Sequence, residues 1–364
     1  MVKSFHLLLT PFAAAFTLLV HFNSLTEAAQ PKSVKSSPDV VVHDGTYPGW
    51  PWVTTGADGT MYCVFREGTE HGFSSTGKAM FTKSTDRGRT WTPATVIVDE
   101  PEIDDRNVAI VELPGGDLFV TYNTYGYRPG AKGLVSQVMT IRSKDGGATW
   151  EAPKVGPVPN SQSKSAAVVL SDGSLVWPFY IAPKNGAICA ISKDGGETWD
   201  SVKVPESPDF TGDEWDLVEV APLHLVAIMR NANRSKPAAL CVSQSRDGGK
   251  TWDLPQTTNL TTRIFAPGQI FQQGPKQTLT VLYPDLRMIS ISAVKTHDPK
   301  LLNWDQDQLL KCYFYNQDQS AIPDGSYTVS APTGNPNERL IVDYEIRKDS
   351  KRITGYFVTF PENW

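Results

Sequence analysis

Four copies of one short pattern, Ser-x-Asp-x-Gly-x-Thr-Trp, constrain what this chain can fold into more than any other feature. They read STDRGRTW from Ser84 to Trp91, SKDGGATW from Ser143 to Trp150, SKDGGETW from Ser192 to Trp199 and SRDGGKTW from Ser245 to Trp252. Their aspartates stand at 86, 145, 194 and 247, so the copies recur after 59, 49 and 53 residues. A recurrence of that length marks an architecture built from one supersecondary unit per period. Each copy is a turn. Its aspartate can accept N–H bonds from its own loop, its glycine tolerates φ > 0, and its tryptophan can pin the turn to the unit it belongs to. A fifth, worn copy is THDPKLLNW, Thr296 to Trp304. Its Asp298 follows Asp247 by 51 residues, but the glycines are gone and one residue is inserted.

The stretches between copies share a script. A short strand with a few polar residues leads into a turn such as ADG, PGG or SDG; a strongly apolar strand follows, then another that enters the box. Six such units can be marked out, and apolar/polar alternation rather than a helical period runs through them. Six units at about 50 residues each need about 300 residues, which takes up most of the 364 present. One domain, residues 39–364, is therefore expected. The last strand, ITGYFVTF, is predicted to meet the chain near Val40 to Val42 and close a ring, because closure removes exposed sheet edges. In such a ring, side chains at the starts of first strands and the ends of second strands converge on the axis. Polar groups there have no core to serve and are site candidates.

The N-terminus reads as a cleaved secretory signal over residues 1–29: Lys3 is a basic start, Leu7 to Val20 is an apolar run, and Ala28 and Ala29 are small. Residues 30–38 read as a flexible lead-in, and export places the protein outside the cell or in a periplasm. The four cysteines, Cys63, Cys189, Cys241 and Cys312, have no metal spacing. Cys189 and Cys241 hold similar places before successive boxes and could face each other; burial as free thiols is the preferred reading. A net charge of −5 gives no support for a nucleic-acid partner, and no later stretch is long and apolar enough to span a membrane. A monomer without metal or cofactor is expected.

The repeated turn is similar to the Asp-box, or BNR repeat, and the chain resembles the sialidase superfamily. That resemblance implies an all-β, six-bladed propeller of four-stranded antiparallel sheets. The fourth unit, DEWDLVEVAPLHLVAIMRN, resembles the family stretch in which a glutamate on one strand precedes an arginine ending the next. It implies Glu219 as the base that activates a tyrosine and Arg230 as a clamp on a substrate carboxylate. VLYPDLRMISIS implies Arg287 as another clamp, and GSYTV implies Tyr327 as the nucleophile. The implied substrate is a glycan ending in an acidic sugar, sialic acid first. Guanidinium forks suit a sugar carboxylate. A neutral tyrosine deprotonated by glutamate avoids the repulsion an anionic nucleophile would meet.

The chain departs from the family in two places. The Arg-Ile-Pro start of the first blade is replaced by Tyr47-Pro48-Gly49-Trp50-Pro51, and the loop expected to carry an acid/base aspartate is GTEHGFSSTGK. Arg66 or Arg106 can replace the lost arginine, with Glu67 beside Arg66. Glu70, His71 or Asp105 can replace the lost acid. Tyr122 is a candidate for stacking on a sugar ring. These departures leave two further readings open: a uronate lyase or another exo-glycosidase using His71, and a propeller that binds sugar without turnover.

Overall fold

The computed structural model describes residues 38–181, 186–233, 235–236, 238–262, 266–285, 290–305, 310–312, 324–325, 327–346 and 348–364. The signal segment assigned from the sequence lies outside them. The described residues form six small antiparallel sheets and no helix, and the six sheets are the blades of a β-propeller. Blade 1 runs Pro48–Thr55, Met61–Glu67, Lys78–Ser84 and Thr95–Val98; blade 2 runs Ile103–Glu112, Leu118–Tyr127, Leu134–Ser143 and Lys154–Pro159. The first strand of blade 3 is broken into Ser161–Gln162 and Val168–Val169, followed by Leu175–Ile181, Ala187–Ser192 and Asp200–Lys203. Blade 4 is Gly212–Ala221, His224–Asn231, Ala239–Ser245 and Gln256–Thr261. Blade 5 is Gln269–Gln273, Thr278–Asp285, Ser290–Lys295 and Leu310–Cys312.

Blade 6 joins the two ends of the chain. Val329–Pro332, Glu338–Ile346 and Lys351–Thr359 come from the C-terminal part, and Val40–Asp44 supplies the outer strand. Val40 pairs with Gly355 and Val41 with Thr354, the closure expected from the sequence.

The repeated turns behave as their chemistry requires. Asp86 Oδ1 accepts the Thr90 N–H at 2.8 Å and the Arg89 N–H at 3.0 Å, while Asp86 Oδ2 accepts the Thr90 hydroxyl at 2.5 Å. Those bonds, the Thr90 hydroxyl foremost, pull the carboxyl down to about 2. The worn copy keeps the arrangement by substitution. Asp298 accepts N–H bonds from Lys300, Leu302 and Asn303, and the Asn303 amide takes the place of the threonine hydroxyl at 2.8 Å. Leu301 adopts φ 60 where the other copies use glycine.

The second glycine of the boxes has an added reason to be glycine: the preceding blade lies against it. A Cβ on Gly147 would stand 2.4 Å from Phe81 of blade 1, on Gly196 2.8 Å from Phe119 of blade 2, and on Gly249 2.8 Å from the Cys189 thiol of blade 3. The turns therefore lock blade to blade. Cys189 faces this glycine, whereas Cys241 contacts the Thr257 hydroxyl at 3.8 Å. Cys63, Cys189 and Cys241 are buried free thiols.

Candidate active site

First strands in three blades are irregular at the same end. Register shifts fall between Gly49 and Trp52 in blade 1, between Arg106 and Ala109 in blade 2, and between Gly212 and Trp215 in blade 4. Trp50 has φ 48 and Asn107 φ 53, a left-handed backbone that non-glycine residues rarely hold. Bulges of this kind re-aim side chains, and such strain collects at functional sites. In blade 4 the bulge lets two successive residues, Asp213 and Glu214, turn toward one partner. That partner is Arg230, at the end of the neighbouring strand.

Arg230 donates from Nη2 to Asp213 Oδ2 at 2.8 Å and from Nη1 to Glu214 Oε2 at 2.5 Å. The same Nη1 lies 3.2 Å from the Tyr327 hydroxyl, which itself donates to Glu214 Oε2 at 3.0 Å. Tyr327, Glu214 and Arg230 thus form a closed triangle of hydrogen bonds between blades 4 and 6. Burial pushes the Glu214 carboxyl up, opposed by Arg230 and reinforced by Asp213. Burial and the Glu214 charge push the Tyr327 phenol up as well, against the pull of Arg230. Burial alone would weaken the hold of Arg230 on its proton, but Glu214, Tyr327 and Asp213 outweigh it. The resting tyrosine is therefore protonated, with its proton aimed at a carboxylate that can take it. Arg230 Nε is buried and has no hydrogen-bond partner.

A second cluster abuts the first. Trp50 lies 6.3 Å from Tyr327 ring to ring, with the His71 ring 5.1 Å away on the loop after the second strand of blade 1. The Arg106 guanidinium rests 4.2 Å from the Trp50 ring centre and 5.5 Å from that of Tyr125, within cation–π range. Its N–H groups reach the carbonyls of Gly72 and His71, both at 3.3 Å. Among the described residues its one carboxylate neighbour is Asp104 at 3.6 Å, and Asp104 is already committed to Arg66. Arg66 and Asp104 are fully buried and paired through both edges, Nε to Oδ1 at 2.8 Å and Nη2 to Oδ2 at 2.7 Å. Arg66 also donates to the carbonyls of Glu70 at 2.5 Å and Gly72 at 3.4 Å.

The candidates from sequence divide accordingly. Tyr327, Arg230, Arg106 and His71 come together. Arg66 is adjacent, but its fork is occupied by Asp104 and loop carbonyls, so it holds the His71 loop in place and has no edge left to serve as a clamp. Glu219 is misplaced: it caps the far end of blade 4, accepting the Ser171 N–H at 2.7 Å, the Ser171 hydroxyl at 2.8 Å and the Leu223 N–H at 2.7 Å. The position beside the tyrosine belongs to Glu214, five residues and about 16 Å earlier along the strand. Asp105 points to the opposite side of its strand from Asp104 and Arg106, as alternation dictates. There it lies beside Tyr122, which is 1% exposed and packed in the core rather than open to a sugar. Glu67 ties the chain entry together, accepting from Thr46 N–H at 2.6 Å, Tyr47 N–H at 3.0 Å and facing His43 at 3.1 Å. Burial alone would raise its carboxyl, but those bonds hold it below the usual value. Arg287 lies outside the described residues. Sequence reasoning missed Asp213 and Glu214, although both stand at the start of a first strand, where polar side chains face the axis.

Asp105 carries a pH signature. It is fully buried; Oδ2 accepts the Glu100 N–H at 2.8 Å and Oδ1 has no partner. Burial lifts it from 3.8 to about 7. Below its unfolded value both states hold the proton and Asp105 contributes nothing. As pH rises toward 7 the unfolded chain releases a proton that the fold retains, so stability falls through that window and stays lower above it. Asp105→Asn is expected to be more stable than wild type at pH 8 by about 2 kcal/mol, roughly half the full linkage because the new buried amide needs a partner. The gain should vanish near pH 4. Urea unfolding at the two pH values checks this, and a pH-independent difference would refute it.

Residues 127–263 match the family model described as a BNR repeat-like domain. Among the solved structures that the chain resembles is a protein of unknown function from Dyadobacter fermentans, at 19% identity and TM-score 0.73, covering 90% of this chain and 99% of that one. A Hadza microbial sialidase matches at 19% identity and TM-score 0.68, covering 87% and 66%. The intramolecular trans-sialidase of Ruminococcus gnavus matches at 12% identity and TM-score 0.66, covering 90% and 98%. At these identities the likeness is one of fold. Residues 127–263 are thus similar to a BNR repeat-like domain, and the described residues have the six-bladed propeller fold of those solved structures.

Proposed function

We propose that the protein is an exported exo-glycoside hydrolase that removes a terminal acidic sugar, sialic acid, from glycans. The observation that carries the reading is the hydrogen-bonded triangle of Tyr327, Glu214 and Arg230. In the first step the Tyr327 oxygen bonds to the anomeric carbon as its proton passes to Glu214. The bond from that carbon to the leaving oxygen breaks, and the leaving oxygen takes a proton from an acid on the opposite side. We assign that task to His71, whose ring lies 5.1 Å from Trp50 on an exposed loop. Water then attacks the anomeric carbon and gives its proton to the now unprotonated His71, while the tyrosyl bond breaks and Glu214 returns the first proton to Tyr327. Arg230 stabilises the tyrosine oxygen as charge develops on it. Arg106, whose carboxylate neighbour Asp104 is shared with Arg66, supplies the second cation.

One feature favours a second reading. The stretch Tyr47–Pro51 has no arginine where the family resemblance implies a guanidinium, which suits a differently placed carboxylate such as that of a uronic acid. Incubation of the purified protein with sialyllactose, followed by assay of free sialic acid from acidic to neutral pH, tests the first reading. No release would end it. Appearance of an unsaturated product from uronate oligosaccharides would support the second.

A further inference from the structure

Blade 2 carries its second strand beyond the others. Leu118–Tyr127 has 10 residues, against 7 in Met61–Glu67 and Leu175–Ile181 and 8 in His224–Asn231. The extension lies at the end that faces the Tyr327 cluster. It places Tyr125 and Tyr127, two residues apart, on one face of the strand. Phe73, from the loop that holds His71, packs edge-on to both, 6.2 Å from Tyr125 and 5.8 Å from Tyr127. Tyr127 is 67% exposed, and Phe73 and Tyr125 are half-buried. A large aromatic ring left in water by a fixed backbone is serving no core. The backbone is fixed: Arg128, the next residue, grips Glu100 through both oxygens at 2.6 and 3.2 Å. Contacts run unbroken from this ridge to the nucleophile, from Tyr125 to Arg106, from Arg106 to Trp50 and from Trp50 to Tyr327.

We infer that the ridge of Phe73, Tyr125 and Tyr127 is a subsite for the neutral pyranose on the leaving side of the cleaved bond. The inference rests on the hydrolase reading above for its direction, since the charged sugar belongs at Arg106 and Arg230. Arg106 lies against the Tyr125 end of the ridge, and Arg128 beside Tyr127 is paired with Glu100, so the exposed ring of Tyr127 suits the apolar C–H face of an uncharged sugar. Tyrosine adds a hydroxyl that can meet the sugar's rim while the ring covers its face. The enzyme would thereby select oligosaccharides over simple glycosides.

The test compares sialyllactose with the methyl glycoside of sialic acid. Tyr127→Ala and Phe73→Ala should each raise KM for sialyllactose about tenfold more than KM for the methyl glycoside, as loss of one aromatic contact implies. Equal shifts on the two substrates, or no shift, would overturn the subsite. Should neither compound be cleaved by wild type, the hydrolase reading fails and the ridge is tested directly by lactose titration with saturation-transfer NMR. A lactose signal in wild type that is lost in both variants supports the ridge. A signal unchanged by the substitutions, or absent throughout, overturns it.

Discussion

Tyr327→Phe is expected to lower kcat by roughly 10³- to 10⁶-fold, the scale on which removal of a covalent nucleophile acts. The substitution deletes one oxygen that Arg230 and Glu214 both touch, and leaves those two bonded to each other. Folding should change by no more than about 1 kcal/mol, the worth of one hydrogen bond. Rate and melting temperature measured together separate the two effects. A phenylalanine variant that keeps the wild-type rate would remove the tyrosine from the mechanism. Glu214→Gln supplies a companion result. Burial raises the Glu214 carboxyl above its ordinary value, so wild-type activity should fall as pH drops and the base gains a proton before substrate arrives. The glutamine variant, slow at every pH, should lack that limb.

Asp104→Ala should cost about 3–5 kcal/mol of stability, because it strands the Arg66 guanidinium in a site with no exposure. For a domain of this size that is a fall in Tm on the order of 10 °C. The loss reaches beyond the pair. Asp104 Oδ2 also accepts the Ser74 N–H at 3.0 Å, and Arg66 holds the carbonyls of Glu70 and Gly72. This ion pair therefore helps fasten the loop that carries His71 and Phe73, and activity should drop with stability. Removing both charges together, as Arg66→Met with Asp104→Leu, should cost less than the sum of the single changes, since no charge is then left unpaired. Thermal melts of the three variants decide it; additive losses would show that the pair contributes nothing as a pair.

The ring was legible because its signal is periodic. Box spacing counts the blades, and even the worn copy at Asp298 could be recognised by the positions of its aspartate and tryptophan. Closure followed from the need to cover an edge, and Val40 does pair with Gly355. Tyr327, Arg230 and Glu219 were all read from one motif resemblance, and the structure brings the first two together but not the third. Tyr327 stands just before a first strand and Arg230 near the end of a second. Glu219 was matched to the motif without regard to its place along the strand. It sits near the wrong end of its strand, and five residues reverse the face as well. The bulge that turns Asp213 and Glu214 toward one arginine breaks strict alternation, so no period in the sequence announces it. Asp104 and Asp105 show the same limit: adjacent in sequence, one is paired with two arginines and the other is held apart from them in the core.

The last blade takes its outer strand from the start of the chain and its inner strands from the end. During synthesis the first of these segments must wait, unpaired, while more than 300 residues follow it, since Val40 meets Gly355. The circle is completed late, across a separation that makes contact formation slow. Until then the partial ring has two raw borders that can pair with other nascent chains. Assembly of this molecule is thus most exposed to misassociation just before its final strand arrives.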